Sequence, residues 1–421
     1  MRTPVCGVQQ DRHEVPSLRS NFAWTFAGNS IYGVCQWAVM SLIAKLGSGE
    51  MLGEYALALA LVLPISMLSH LNLRAVLATD ITHRHPFGDY QAVRYWVTAG
   101  AVAAIALLAL AGGRGFTVSA SMILIGFSLS ADIVSDVYYG ALLRSERMSE
   151  IAFSLIARGV LALVAFGMVL SATHSLVPAV AMLLLARIAV LVIYDRPRGI
   201  RGQDLSRAGR LSQWEIFRTA LPLGVVLMLV SFTSSVPRYA VEHYLGTREL
   251  GVFAAVAAFL TAGSTVVNAL GQSATPRLAR FFSQHDRRQF VGLALRLAGL
   301  ALAIGAAGVI LAATAGSHLL RTLYRSDFQA HGALLVQMMV AAAMVYVASV
   351  LGYVITSARS FLAQMPLLAA VAATSAVASW FLVPIMGLNG AAVAVAVTAS
   401  VQVVGELLIL RRALARMGHP A

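Results

Sequence analysis

Long apolar segments dominate the chain, and short polar segments separate them. About twelve stretches of roughly twenty apolar residues follow one another. A bilayer core about 30 Å thick needs about 20 apolar residues per helix, and lipid offers no partners for backbone hydrogen bonds. The runs are continuous rather than alternating, which excludes the strand pattern of a membrane barrel. The pattern therefore predicts an all-α membrane protein without a soluble domain.

The predicted spans divide evenly into two groups of six. They cover residues 22–44, 52–79, 93–112, 117–142, 151–172, 175–194, 215–241, 250–274, 290–314, 331–356, 362–383 and 388–410. We expect a cytoplasmic tail over 1–20, an N-terminal six-helix lobe over 21–195, a basic linker over 196–213, a C-terminal six-helix lobe over 214–412 and a cytoplasmic tail over 413–421. Two pseudo-symmetric lobes are predicted to surround a central cleft.

A short internal repeat supports this division. Residues 46–56 (LGSGEMLGEYA) lie between the first two spans, and residues 245–254 (LGTRELGVFA) lie between spans seven and eight. The two segments align with a gap of one residue, at an offset of about 198 positions. Both halves then start on the same side of the membrane, which is the arrangement of a parallel repeat. Chance similarity between two helix starts is the alternative.

The distribution of basic residues predicts the topology. Of the 31 basic residues, twenty (Arg94 among them) fall in gaps on one side and six on the other. The six are Lys45, Arg114, Arg238, Arg248, Arg321 and Arg325. Because cytoplasmic loops collect Lys and Arg, both termini are predicted to be cytoplasmic, in the inner membrane of a bacterium. No cleavable signal peptide is expected before the first span.

Composition also bounds the partners. Charged residues make up 12% of the chain and hydrophobic residues 59%, whereas soluble domains carry about 25% charged residues. The net charge of +13 could indicate nucleic acid, but the arginines are spread over many short loops rather than along one face. We therefore expect membrane lipids and an anionic substrate as partners, and no nucleic acid.

Motifs of covalent chemistry are absent from the sequence. No GxxxxGK[ST], HExxH, CxxC, GxSxG or SxxK pattern occurs, and Cys6 and Cys35 are the two cysteines. No extramembrane segment is large enough to hold a nucleotide. The sequence therefore predicts a protein that is not an enzyme and that uses no cofactor, no metal and no ATP of its own.

Charged residues inside the predicted spans are costly and are candidates for function. In spans four to six these are Asp132, Asp136, Arg158 and Arg187. Asp136 and Arg158 lie equally far from the short loop that joins their spans, so we expect them to pair. The group is interpreted either as a structural salt-bridge network or as a proton- or ion-sensitive gate.

Three further arginines have no obvious acidic partner. Arg74, Arg218 and Arg296 lie within spans, on the side predicted to be cytoplasmic. A guanidinium binds phosphate through two parallel hydrogen bonds, so the three are candidate substrate-binding residues. Snorkelling towards the headgroups is the alternative, and it is favoured for Arg218.

Uncharged polar residues form the remaining candidates. Asn29 and Gln36 lie in span one, and Asn268 and Gln272 lie in span eight. They suit hydrogen bonds to substrate hydroxyls or to water in a central cleft. The alternative is that they join helices to one another, as polar residues in spans often do.

Several segments resemble one known family. They are residues 21–29 (NFAWTFAGN), 44–47 (AKLG), 53–58 (GEYALA), 72–80 (NLRAVLATD) and 387–392 (GLNGAA). The chain resembles the polysaccharide transporter branch of the multidrug/oligosaccharidyl-lipid/polysaccharide exporter superfamily, the branch of the O-antigen flippases. The likeness covers nearly the whole chain, and its motifs are diffuse.

The resemblance implies two lobes in a V around a cationic cleft, which Arg74 and Arg296 would fit. It implies that a polyprenyl-diphosphate-linked oligosaccharide is flipped to the outer leaflet of the bacterial inner membrane by alternating access, for surface polysaccharide or lipopolysaccharide synthesis. Glycan polymerase and ligase proteins are possible partners. Two rivals stay open. A multidrug or cation antiporter needs an acid that faces the cleft, and a membrane glycan polymerase needs a larger outer loop than residues 315–330 provide.

Overall fold

The computed structural model describes residues 18–80, 84–358 and 361–417. Within these ranges the regular structure is entirely helical. Eleven helical segments are long and apolar enough to cross a membrane. A further long helix, Leu18–Leu46, is not among these eleven and carries the polar residues Asn29, Tyr32 and Gln36. The predicted all-α membrane architecture is confirmed.

Twelve long helices and two short ones follow one another along the chain. They are α1 (Leu18–Leu46), α2 (Gly49–His70), α3 (Leu73–Thr79), α4 (Phe87–Ala111), α5 (Phe116–Arg144), α6 (Met148–Thr173), α7 (Leu176–Val190), α8 (Arg196–Gly199), α9 (Arg210–Leu245), α10 (Thr247–Ser283), α11 (Arg287–Leu323), α12 (Gly332–Ser357), α13 (Phe361–Met386) and α14 (Leu388–Met417). Helices α1–α8, the N-terminal half, pack mainly on one another, as do α9–α14, the C-terminal half. The halves meet where α2 contacts α9 and α10, and where α1 contacts α10.

The two repeat segments pack directly against each other. A Cβ atom on Gly53 would overlap the carbonyl oxygen of Thr247, and one on Gly251 would overlap that of Gly49. Gly53 and Gly251 are counterparts in the repeat, so the contact is nearly symmetric. Only glycine allows backbones to approach this closely. We call this the glycine contact, and the end of the molecule where it lies the glycine end.

At the end of the molecule opposite the glycine end, the segment that joins the two halves packs against the start of α4. The buried carboxylate of Asp89 accepts hydrogen bonds from the backbone N–H of Ala208 and from Nε2 of Gln213, each at 3.2 Å. The N–H of Gly88 donates to the carbonyl of Asp204 at 3.1 Å. The N–H and hydroxyl of Ser206 in turn lower the pKa of Asp204. The segment is therefore held against the N-terminal half rather than spanning free between the halves.

Two prolines inside spans each leave a backbone carbonyl of their own helix without its usual N–H donor. In both cases a hydroxyl group from another helix donates to that carbonyl. Pro64 has no N–H to give to the carbonyl of Ala60, and the hydroxyl of Tyr239 on α9 donates to that oxygen at 2.6 Å. Pro237 likewise frees the carbonyl of Thr233, which accepts from Oγ of Ser375 on α13 at 3.0 Å. Both bonds satisfy backbone groups that lipid cannot.

The span that begins with α2 is broken before its end. Leu71 and Asn72 have φ of 51° and 48°, so α2 stops at His70 and α3 starts a new direction. Fully buried Arg94 donates from Nη1 to the carbonyls of Ser69 and His70, at 3.0 Å each. Our assignment of Arg94 to a cytoplasmic gap was wrong, because α4 begins at Phe87 and places this guanidinium inside the bundle.

Candidate functional site

A cavity of about 740 Å³ lies between the two halves. Seven helices line it: α1, α2, α9, α10, α12, α13 and α14. Most of the lining side chains are apolar. The uncharged polar ones, which are mainly hydroxyls, are Ser30, Gln36, Tyr55, Thr233, Ser234, Thr261, Thr265, Ser349, Ser375, Thr398 and Gln402. The wall can therefore take an apolar chain and still offer hydrogen bonds.

One charged side chain, Arg238 on α9, belongs to the lining. Within the described part of the chain it forms no ion pair with a carboxylate, and no acidic residue lines the cavity. A half-buried guanidinium without an anion is ready to bind one. Our assignment of Arg238 to an outer gap was wrong, because α9 continues to Leu245. Its position within the predicted span 215–241, directly after Pro237, was the available signal.

Gln36 is the predicted substrate-binding residue that the structure places on the cavity wall. Asn29 lies seven residues before it on α1, about 10 Å away along the same helical face. It is exposed, and its Nδ2 donates to the carbonyl of Thr25 at 2.7 Å. On α1 the polar face thus continues from the cavity away from the glycine end.

The polar face of α10 continues in the same direction. Thr261 and Thr265 line the cavity, and Asn268 and Gln272 follow at steps of three and four residues. Gln272 is exposed, and its Nε2 donates to the hydroxyl of Tyr353 at 3.4 Å. A Cβ atom on Gly33 of α1 would lie 3.9 Å from Cγ2 of Thr265, so α1 and α10 approach there. Beyond that point both helices expose their polar faces.

The three predicted anion-binding arginines lie elsewhere. Arg74, expected to lack a partner, forms an ion pair with Asp136 and lies 5.1 Å from the ring centre of Tyr139. Arg218 and Arg296 are exposed on α9 and α11. None of the three belongs to the cavity lining. The expectation that Arg74 and Arg296 make the cleft cationic is therefore wrong for this cavity, and Arg238 takes that position.

The predicted pair of Asp136 and Arg158 is not formed. Arg158 contacts Asp132 at 2.8 Å and Asp195 at 2.6 Å. Asp132 also contacts Arg187 at 2.8 Å and accepts from the hydroxyl of Tyr32 at 3.0 Å. Asp195 lies just before α8, so the chain beyond α7 supplies the second acid. This cluster ties α1, α5, α6 and α7 together inside the N-terminal half.

Asp136 is the centre of a second cluster. Besides Arg74 it faces Arg94, with 3.7 Å between Nη2 and Oδ2, and His70, with 3.5 Å between Nε2 and Oδ2. Asp136 is buried, and His70 and Arg74 are partly exposed. The cluster joins α5 to the broken end of α2. Both clusters give each buried carboxylate a cation, which is the condition for holding charge away from water. No α5 residue lines the cavity.

The comparisons with known proteins agree with this architecture. No family model matches the sequence. The chain is 23% identical over 319 residues to the capsular polysaccharide biosynthesis protein CapF of Staphylococcus aureus, covering 75% of this chain and 80% of that protein. Among solved structures it is similar to a multidrug resistance MATE family transporter of the MOP superfamily in its inward-facing conformation, with a TM-score of 0.66 and 13% identity, covering 96% and 97% of the two chains.

An outward-facing structure of such a transporter gives a TM-score of 0.59 at 13% identity, covering 95% and 96% of the two chains. At these identities the likeness establishes architecture rather than cargo. The chain is a multi-pass membrane protein with the fold of the MATE transporters of the MOP superfamily.

Proposed function

We propose that the chain flips a lipid-linked anionic oligosaccharide across the membrane by alternating access. The observation that carries the proposal is the cavity between the halves, which combines a largely apolar wall with one guanidinium, Arg238, that has no acidic neighbour on the lining. A relative named for capsular polysaccharide biosynthesis supports the same substrate class.

Each part of such a substrate has a matching surface. A diphosphate suits the bidentate fork of Arg238. Sugar hydroxyls suit Gln36 and the hydroxyl side chains of the lining, and Asn29, Asn268 and Gln272 extend that polar surface. The prenyl chain stays in lipid at the edge between α1 and α10, beyond the approach of Gly33 to Thr265.

The direction of transport follows from the assignment of the ends. In our predicted topology the glycine end is outside and both termini are cytoplasmic, in the inner membrane of a bacterium. The glycine contact then closes the outer side. An inside-negative potential favours outward movement of negative charge by about 2.3 kcal/mol per charge per 100 mV. Rocking of the halves needs no covalent step, and glycan polymerase and ligase proteins would use the delivered lipid.

A multidrug antiporter is the second candidate, and the apolar character of the cavity favours it. An organic cation, however, is best stabilised by a carboxylate, and the lining holds none. Asp132 and Asp136 lie within the N-terminal half and are neutralised by arginines there. The charge of the cavity wall therefore favours an anionic substrate.

Reconstitution with a matched pair of arginine variants tests the proposal. The purified protein is reconstituted into liposomes together with a fluorescent polyprenyl-diphosphate oligosaccharide. Translocation is then measured by quenching the fluorophores that have reached the outer leaflet. Arg238→Gln should slow flipping about tenfold or more, because a charge-assisted hydrogen bond contributes about 1.5–3 kcal/mol. Arg296→Gln, which removes an exposed arginine outside the cavity, should leave the rate unchanged.

Two results would overturn the assignment. Equal rates in both variants would remove Arg238 from the substrate path. A wild-type protein that exports a fluorescent organic cation against a proton gradient, and does not move the lipid, would establish the antiporter instead.

A further inference from the structure

One buried acid in the described part of the chain has neither a cationic partner nor a hydrogen bond to each of its two carboxylate oxygens. Four acidic side chains are buried there: Asp89, Asp136, Asp195 and Glu406. Asp136 and Asp195 contact arginines, and Asp89 accepts from a backbone N–H and an amide. Glu406 on α14 is 4% exposed and takes part in none of the ion pairs.

The two oxygens of Glu406 differ in their surroundings. Oε1 accepts a hydrogen bond from Nε2 of Gln402 at 3.0 Å. Oε2 is buried and has no hydrogen-bond partner in the described residues. A lone carboxylate inside a membrane protein is costly, whereas a carboxylic acid is neutral and donates its own proton. A proton on Oε2 removes the charge of this carboxylate.

Glu406 lies one helical turn from the central cavity. Gln402, its hydrogen-bond partner, is part of the cavity lining, and Glu406 follows four residues later on the same face. Gly352 of α12 leaves space beside it, because a Cβ atom there would lie 3.5 Å from Oε1. The cavity therefore gives the carboxyl group a short route to water when that side is open.

The elements packed around α14 carry few titratable groups. Helix α12 offers Tyr346 and Tyr353, whose hydroxyls bond the carbonyl of Leu260 and the amide of Gln272. Residues 363–386 of α13 contain none. The charged group that α9 and α10 present to the shared cavity is Arg238.

On α14 itself, Arg411 and Arg412 are exposed, five and six residues beyond Glu406. No described cation therefore contacts the carboxyl group. Its charge depends on a proton rather than on a neighbouring side chain.

We propose that Glu406 is a proton-binding site of the transport cycle, reached from the central cavity past Gln402. Proton uptake forms the Oε2–H bond and discharges the carboxylate, and release returns the proton to water in the cavity. The C-terminal half then changes its net charge by one unit according to the side on which the cavity is open. The inference goes beyond the proposed cargo and applies to any substrate that the cavity carries.

Labelling with a hydrophobic carbodiimide, which reacts with protonated carboxyl groups in apolar surroundings, tests the site on the wild-type protein. Peptide mass spectrometry should find Glu406 modified at neutral pH and progressively less modified as the pH rises. Asp136, buried beside arginines, should stay unmodified and serves as the internal control. A Glu406 that remains unmodified at every pH, or is modified equally at every pH, would overturn the proposal.

A functional measurement gives a second, independent result. In proteoliposomes, Glu406→Gln should transport at a rate that no longer responds to an imposed pH gradient, and Glu406→Asp should retain the response. An unchanged response to the gradient in Glu406→Gln would overturn the proposal. Failure of the proposed substrate to move in wild-type protein would instead refute the flippase function and leave the labelling result standing.

Discussion

Gly53 and Gly251 occupy equivalent positions in the two repeats, and each packs against the backbone of the opposite half. Gly53 lies on the carbonyl of Thr247, and Gly251 lies on that of Gly49. The pseudo-symmetry axis therefore passes between them. Opening the glycine end requires these backbones to separate, so the contact is a direct test of alternating access.

Cross-linking across the glycine contact should stop transport. A Cβ atom on Gly49 would lie 3.9 Å from Cγ of Arg248, so side chains at these two positions face each other across the contact. With Cys6→Ser and Cys35→Ser as background, the pair Gly49→Cys and Arg248→Cys should form a disulfide on oxidation. Flipping should then fall to the background rate and recover on reduction. The two single-cysteine variants, oxidised in the same way, are the controls, and complete cross-linking with normal transport would contradict the mechanism.

Removing the charge of Asp132 should destabilise the N-terminal half. Asp132→Asn leaves Arg158 with Asp195, but it leaves Arg187 without an acid among the described residues. Breaking a buried pair costs about 3–5 kcal/mol, so the melting temperature in detergent should fall markedly. The exposed pair of Arg84 and Glu215, 3.6 Å apart, provides the comparison: Arg84→Ala should change the free energy of unfolding by less than about 1 kcal/mol. Equal melting temperatures in the two variants would refute a structural role for the cluster.

The hydrogen bond from Tyr239 to the carbonyl of Ala60 should be coupled to Pro64. Tyr239→Phe leaves that carbonyl unpaired and should cost about 1–3 kcal/mol. In the background Pro64→Ala, the new N–H can serve the same oxygen, and the loss should shrink by about 1 kcal/mol in a double-mutant cycle. Tyr346→Phe is the matched control, because its hydroxyl bonds the carbonyl of Leu260, which no proline frees. Additive effects of Tyr239→Phe and Pro64→Ala would contradict the coupling.

The number of the spans and their helical nature could be predicted from the sequence, because each run of about twenty apolar residues is long enough to cross the bilayer as a helix. The sequence also identified the repeat, but similarity between two segments does not say that they touch. The contact depends on Gly53 and Gly251, because a side chain at either position would overlap the backbone carbonyl of Thr247 or of Gly49.

The charged sites were harder to predict. The position of a residue along a span gives its depth in the membrane, but it does not say which neighbouring helix the side chain faces. Arg158 and Asp136 were matched by depth, but Asp132, one turn away, faces α6, and Asp195 supplies the second carboxylate from beyond α7. Arg74 was expected to be unpaired since no acid is near it in sequence. The break at Leu71 and Asn72, which lies inside the single predicted span 52–79, redirects Arg74 towards Asp136.

The docked segment between the halves joins them along one flank of the molecule. Asp89 holds residues 208 and 213 beside α4, and α2 lies along α9, so the halves are joined along that edge. On the opposite flank α1 packs against α10, where Gly33 lies close to Thr265. For the lipid-linked substrate proposed above, the flank formed by α1 and α10 would then be the side on which the lipid tail stays in the membrane and along which the cargo enters and leaves.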